Sequence, residues 1–394
     1  MSTDLKPRNQ VQKIARQEQV QSALNAFHEK LETIIDRVVS IQQIPAPTFA
    51  EAERAAFIEQ QFRAAGLSQV QRDELHNVFG CLPGRTTGKP VVITAHSDTV
   101  FSAGTDLQVE RYDGRVVGPG IADNSLGVAG LLVLAEVFRD FQLQPDRDIW
   151  FVSNVGEEGL GNLRGMRAVV DRFGEAAAYI VLEGGLYGYV CHEAIGVRRY
   201  RLLVETPGGH SWGAFGTPSA IHILGHLIAG IDALEVPAVP KTTYNVGVIE
   251  GGTTINAIAR RAQLLLDLRS EEPQALATLV QRVEALAAEA ARAEQVTVGM
   301  EQIGSRPAGY LARQAPLVRA AVAALELAGC EDIEYTIGST DANIPLSRGY
   351  PAVCIGLTRS GNTHRPDEYM EVAPIPSGLG QALLLTLATA GLSH

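Results

Sequence analysis

Two histidines and several carboxylates stand where apolar segments of the chain end. His96 and Asp98 follow the run VVITA, Glu157 and Glu158 follow IWFVSNVG, Glu183 follows AYIVL, and His364 lies beyond AVCIGL. Asp123 arrives differently, in GPGIADNS just ahead of an apolar segment at 127–138. Taken singly, each has a plain reading. An aspartate before a helix is an ordinary N-cap, and adjacent glutamates usually make a solvated turn. A histidine after a strand is usually just hydrogen-bonded. Taken together they suit zinc, with cobalt or manganese as substitutes, because the donors are imidazole nitrogens and carboxylates without thiolates. Two such ions about 3.5–4 Å apart can clamp a hydroxide and polarise a carbonyl. That arrangement needs one shared carboxylate and two further ligands per ion. His96, Asp123, Glu183, His364 and one of the two adjacent glutamates meet the count. Side chains two apart in a strand point the same way, so Asp98 can accept the second N–H of the His96 imidazole. Glu157 and Glu158 point apart, so one can bind metal while the other moves a proton from water to a leaving amine.

The elements that must deliver these groups are legible in outline. Residues 10–43 read as one long helix, with Val20, Leu24, Phe27, Leu31, Ile34 and Val38 at helical spacing and Pro45 and Pro47 ending it. A second helix spans about 49–65 and closes at Gly66. Strand-like runs at 91–95, 149–155 and 179–182 then alternate with helical segments. The alternation predicts an α/β fold, a mostly parallel sheet with helices on both faces. In such a sheet, ligands bind outside the carboxyl ends of the strands, which is where four strands would place these groups. The middle of the chain changes character: strand candidates at 200–206, 242–249, 262–269 and 295–300 interleave with helices at 219–231 and 273–294. That order resembles a split ferredoxin-like α+β unit. The expected organisation is a catalytic domain in two segments, 1–194 and 303–394, with 195–302 inserted between them.

Composition narrows the function classes. A chain of 394 residues is long enough for two domains. A net charge of -11 argues against a nucleic-acid partner and against an anionic membrane surface. Cys81, Cys191, Cys330 and Cys354 form no CxxC pair, which disfavours a thiolate zinc site and predicts reduced, buried thiols. The N-terminal residues contain no apolar signal core, and no apolar run approaches the ~20 residues that span a bilayer. The expected location is cytoplasmic. A dinucleotide site at Gly159, Gly161 and Gly165 is disfavoured, because the spacing is one residue off the fingerprint and adjoining acids would repel a pyrophosphate. His222 and His226 share a helical face, but HILGH lacks the glutamate of HExxH.

AHSDTV, GPGIADNSLGVAGLL, NVGEEGLGN, VLEGG, GGHSWGAFGTPSA and GNTHRPDEY resemble, in order, the successive motifs of one family. It is the two-zinc exopeptidase and deacylase family that includes glutamate carboxypeptidase, aminoacylase, peptidase T and succinyl-diaminopimelate desuccinylase. The resemblance implies a zinc-exopeptidase fold whose inserted unit is a lid carrying a homodimer contact. It implies His96 and Glu183 on one zinc, Glu158 and His364 on the other, and Asp123 bridging them through a residue followed by a cis peptide. Asp98 would support His96, and Glu157 would be the general base. His210 in PGGHSW would reach the partner subunit's active site and stabilise the oxyanion. Asn256 in GGTTINAIA would contact substrate, although Ala259 and Arg260 stand where the family usually has proline soon after. Arg269 in LDLRS would hold a free carboxylate through both oxygens, against the alternative of an ordinary salt bridge with Asp267. Many peptidase members have Asp where Glu183 stands, whereas deacylase-like members have Glu; GSTDANIPLSRG instead resembles the tripeptidase branch. The expectation is therefore amide hydrolysis in a small peptide, with an N-acyl amino acid as the alternative substrate. A non-catalytic binding protein on the same fold is disfavoured because all five ligands and Glu157 are present.

Overall fold

The structure, a computed structural model, describes residues 6–392. It divides into two compact units, one made of residues 1–194 and 309–394 and the other of residues 195–308. The first stretch of chain holds α1 (Lys6–Ala15), α2 (Glu18–Glu29), α3 (Leu31–Gln42), α4 (Ala52–Ala64), β1 (Ser68–Arg72), β2 (Val78–Leu82), β3 (Val91–His96), β4 (Glu110–Tyr112), β5 (Arg115–Val117), α5 (Gly127–Asp140), β6 (Ile149–Asn154), α6 (Arg164–Phe173), β7 (Ala178–Glu183) and β8 (Tyr189–Ala194). The second unit holds β9 (Gly196–Glu205), β10 (Gly209–His210), α7 (Ala220–Asp232), β11 (Thr242–Gly251), β12 (Ala257–Ile258), β13 (Arg261–Ser270), α8 (Pro273–Glu294) and β14 (Thr297–Arg306). The chain then adds β15 (Gly309–Tyr310), α9 (Pro316–Leu327), β16 (Glu334–Gly338), α10 (Asn343–Ser347), β17 (Ala352–Gly356), β18 (Ser360–Gly361), β19 (Tyr369–Glu371) and α11 (Ile375–Ala390) to the first unit.

The main sheet of the first unit runs β1-β2-β6-β3-β7-β17-β8-β15, with β16 also pairing β8. Its four central strands, β6, β3, β7 and β17, are mutually parallel. The flanking pairings of β1, β2 and β15, and the β17–β8 pairing, are antiparallel, which makes a mixed sheet around the expected parallel centre. Central strands such as VVITAH and IWFVSN are buried along their whole length, as a sheet covered on both faces requires. The outer SQVQR strand is half-exposed and too polar to give an apolar run.

The expected single helix over 10–43 is three helices. Gln17 is extended, and Lys30 (φ -99, ψ 13) leaves helical geometry. Neither break carries Gly or Pro, so the apolar periodicity runs through both. The breaks let α1 pack on α9 and α11 while α3 packs on α5. A tight turn over Ile121–Leu126 runs into α5, and together they make a segment of 20 residues that by length and composition alone could cross a membrane. Its most apolar window is 89% buried inside the protein, which makes it a core helix.

The second unit's four-stranded sheet is antiparallel throughout, in the order β11-β13-β9-β14. With α7 and α8 as crossovers this is the ferredoxin-like arrangement. Leu202, Val204, Leu264, Leu266 and Leu268 face Leu224, Leu279 and Val283 in a core of its own. The unit extends to Ala308 because its last strand continues to Arg306 instead of ending near Met300. Cys81, Cys191, Cys330 and Cys354 are buried and free.

Candidate metal centre

His96 is the last residue of β3 and Glu183 the last of β7. Glu157 and Glu158 lie just past β6, and His364 lies past β17. Because these four strands are parallel neighbours, their carboxyl ends share one rim of the sheet. Asp123 reaches the same rim from the turn preceding α5.

Asp123 stands at the middle of the cluster. Its Oδ1 is 3.2 Å from His96 Nε2, and its Oδ2 is 3.3 Å from His364 Nε2. Glu183 Oε2 is 3.6 Å from His96 Nε2, and Glu158 Oε1 is 3.1 Å from His364 Nε2. Two groups result, His96–Asp123–Glu183 and Asp123–Glu158–His364, and in each the candidate ligand atoms lie within 4.8 Å of one another. Only Asp123 belongs to both, and Glu157 belongs to neither. Two imidazoles and three carboxylates without a thiolate form a donor set that fits a pair of borderline divalent ions such as zinc.

Four residues tie the rim together, and three of them carry no periodic signal in the sequence. Asp98, fully buried, accepts hydrogen bonds from the backbone N–H of Glu157 and of Glu158, both at 3.0 Å, and from Thr48 Oγ1 at 2.8 Å. Its carboxylate is 3.6 Å from His96 Nδ1, while its own carbonyl oxygen is nearer that nitrogen, at 3.1 Å. Asp98 therefore fixes the glutamate loop as much as the imidazole. Asn124 follows a cis peptide bond. Its side chain donates to the carbonyl of Leu182 and accepts from the N–H of Gly184, gripping the backbone on either side of Glu183. Glu368 is fully buried and accepts from the N–H groups of Ala122 and Asp123 through one oxygen and from the N–H of His364 through the other. Arg54, also buried, donates to the carbonyls of Ser97, Ile44 and Gln42, holding the turn between His96 and Asp98. Glu368 lies inside the GNTHRPDEY segment, and Asn124 follows the predicted Asp123. Position next to a ligand was the available signal for both.

The electrostatics follow from this crowding. For His96, burial opposes protonation, but Glu183, Asp123 and Asp98 outweigh it and raise its pKa well above the usual value. His364 is pushed up to about 10 by hydrogen bonds to Asp123 and Glu158. Burial drives Glu183 up to about 7, against the attraction of His96 and with the repulsion of Asp123 and Asp341. Burial also opposes ionisation of Asp123, yet His364 and His96 hold its carboxyl well below the usual range. Asp98 is likewise held low, with burial outweighed by His96 and the two backbone N–H donors. A cluster of acids that keeps two histidines protonated is a cluster that lacks positive charge, which divalent ions would supply.

A family model for Peptidase family M20/M25/M40 matches residues 92–385. The chain belongs to this family. Carboxypeptidase G2 from Pseudomonas sp. (strain RS-16) is 26% identical over 360 residues, 86% of this chain and 81% of that protein. Succinyl-diaminopimelate desuccinylase from Paraburkholderia xenovorans (strain LB400) is 24% identical over 314 residues, 74% of this chain and 80% of that protein. The crystal structure of a tripeptidase from Staphylococcus aureus shares the fold, with a TM-score of 0.77 at 21% identity over 92% of this chain and 99% of that one. As an M20 protein the chain is a hydrolase of the metallopeptidase and amidohydrolase class, in a family that binds metal ions, typically zinc.

The remaining residues singled out from sequence lie in the second unit of this M20 chain. His210 is exposed and pairs with Ala257 in the short β10–β12 ladder, while the N–H of Ser211 donates to the carbonyl of Asn256. His210 and Asn256 are thus local neighbours. The His210 Nδ1 accepts from the N–H groups of Trp212 at 3.2 Å and of Gly213 at 3.3 Å. Arg269 donates to Asp267 through Nε at 2.7 Å, and Arg199 shares the same carboxylate at 2.9 Å. His222 and His226 are exposed on α7.

Proposed function

We propose that this protein hydrolyses an amide bond in a small peptide, as a di- or tripeptidase or a carboxypeptidase-like exopeptidase, with two zinc ions as cofactors. The observation carrying the proposal is the sharing of Asp123 between two three-residue groups. In this reading His96 and Glu183 hold one ion, Glu158 and His364 hold the other, and Asp123 is common to both. Bound there, the ions would lower the pKa of a water and polarise the scissile carbonyl. Glu157 supplies the proton path: it takes a proton from the attacking water and delivers it to the leaving amine. Its support is its place beside Glu158, buried, on a loop whose backbone Asp98 fixes, and outside both ligand groups. Asp98 is a positioning residue. For His210, Asn256 and Arg269, the support is the motif match, with oxyanion stabilisation assigned to His210, substrate contact to Asn256 and carboxylate binding to Arg269. The Asp267 pairing of Arg269 would leave its outer guanidinium edge for that task. The second unit is the proposed homodimer contact.

A second reading, deacylation or desuccinylation of an N-acyl amino acid, is favoured by Glu183 at a position where deacylase-like members carry glutamate, and by the likeness to a desuccinylase. A panel separates the two: di- and tripeptides against N-acetyl and N-succinyl amino acids, read as kcat/KM on the zinc-loaded protein. Peptides cleaved tenfold or more faster support the peptidase reading; the reverse order supports the deacylase, and no cleavage of either class defeats both.

A further inference from the structure

Phe49 has a backbone and a surroundings that the proposed reaction does not explain. The loop IPAPTFAE, residues 44–51, lies against the metal centre. Thr48 Oγ1 donates to Asp98 at 2.8 Å, and the Thr48 N–H donates to the carbonyl of Thr99. The next residue, Phe49, has φ +76 and leaves 63% of its surface exposed. Both features are unfavourable for phenylalanine. Its β-carbon crowds the backbone at positive φ, where glycine sits freely, and its ring gains nothing from water.

The ring is nonetheless held. The Arg164 guanidinium lies 4.6 Å from its centroid. Arg164 is fixed in turn by fully buried Glu51, to which Nη2 donates at 2.7 and 2.8 Å. Glu51 also accepts the Phe49 N–H at 3.0 Å. The same guanidinium packs on Gly156, where an added β-carbon would come within 2.5 Å of Nη1. Gly156 immediately precedes Glu157, so this cluster abuts the loop bearing the proposed base. Two more exposed apolar side chains leave the same set of loops: Leu160 (49%), two residues past Glu158, and Val100 (43%), two residues past Asp98. A strained backbone that holds an aromatic ring in water beside a reactive centre marks a ligand contact.

We infer that Phe49, with Leu160 and Val100 exposed on the loops that carry Glu158 and Asp98, contacts an apolar side chain of the substrate and sets a preference for that side chain over a hydrogen. The inference rests on the amide-hydrolase reading for the identity of the substrate, and on the loop geometry for the contact itself. Two readouts on the zinc-loaded protein test it: kcat/KM for Phe-Gly and Gly-Phe against Gly-Gly, and calorimetric affinity for L-phenylalanine against glycine. The wild type is expected to favour the phenylalanine member of a pair by ~10–100-fold, the range that a filled apolar pocket provides. Phe49→Gly and Phe49→Ala should remove most of that preference, Phe49→Tyr should keep it, and Phe49→Gly should melt no lower than the wild type because its backbone strain is relieved. A wild type that shows no preference in either readout overturns the inference. So does a Phe49→Gly variant that keeps the preference, or one that loses thermal stability while keeping it. Calorimetric preference that is present in the wild type and lost in Phe49→Gly, with no amide cleaved, would overturn the hydrolase reading and leave the Phe49 contact standing.

Discussion

Asp123 offers one carboxylate oxygen to each of two imidazoles, Oδ1 at 3.2 Å from His96 Nε2 and Oδ2 at 3.3 Å from His364 Nε2. One imidazole ends β3 and the other lies in the loop between β18 and β19, so a single side chain joins the two halves of the centre. Asp123→Ala is expected to weaken metal binding at both positions and to lower kcat/KM by more than the roughly 10–100-fold typical of a supporting partner. Metal content per chain measured alongside turnover checks this. A variant that retains a full metal complement would show that Asp123 is not shared.

Asp98 accepts from the N–H groups of both Glu157 and Glu158, and Glu368 accepts from the N–H groups of Asp123 and His364. Each therefore positions two groups of the site. Asp98→Ala and Glu368→Gln should each weaken metal affinity by about 10–100-fold while the fold survives. Competition with a chromogenic chelator reads the affinity, and far-ultraviolet circular dichroism reads the fold. Unchanged affinity in both variants would contradict the positioning role.

Glu157 separates chemistry from binding. Glu157→Gln keeps the loop and its backbone bonds to Asp98 but cannot accept a proton. Turnover should fall by ~10²–10⁴-fold, the usual contribution of a general base, with metal content unchanged. Full activity in that variant would reassign the proton transfer.

The acid cluster sets a pH dependence. In the metal-free protein His364 is raised to about 10, first by hydrogen bonds to Asp123 and Glu158. An entering ion must displace that proton, so apparent metal affinity should rise with pH across the neutral and mildly alkaline range. Calorimetry in buffers of different ionisation enthalpy should show net proton release at pH 7 to 8 (values on the order of the ordinary histidine pKa and above); no release would contradict the assignment of His364. Stability has the opposite sign. A raised histidine stabilises the metal-free fold fully below its unfolded pKa of about 6.5 and loses that contribution as pH rises through its folded value. Thermal melts of metal-free protein should therefore lose this contribution on the alkaline side, and His364→Gln should flatten the trend.

Arg54 is fully buried among three backbone carbonyls, and burial lowers its pKa to about 10 despite the nearby Asp98. Arg54→Leu leaves those acceptors without donors, at about 1–3 kcal/mol for each one that stays buried and unpaired. Denaturant unfolding should show a loss within that range or above it. A loss below ~0.5 kcal/mol, the size of an ordinary surface substitution, would contradict the role.

The parts legible in the sequence were those written as apolar runs ending in a reactive residue. VVITA before His96 and AYIVL before Glu183 mark buried central strands, so their ends mark the rim. The strands β1 and β16 were harder to read, because partly exposed strands mix polar and apolar residues without a clean period, and the buried β8 is interrupted by the polar pair His192 and Glu193. The breaks at Gln17 and Lys30 were invisible because ordinary residues make them and tertiary packing selects them. Within the site, ligands could be chosen by residue type, whereas Glu368 and Arg54 act through backbone N–H and carbonyl groups, which carry no residue-type signal.

The most direct test of a centre built around a shared Asp123 is the divalent metal content of the purified chain, measured together with its amide hydrolysis before and after chelation. Two ions per chain are expected, with activity lost when the ions are removed and restored by zinc. A chain that hydrolyses amides with one ion or none bound would contradict this expectation.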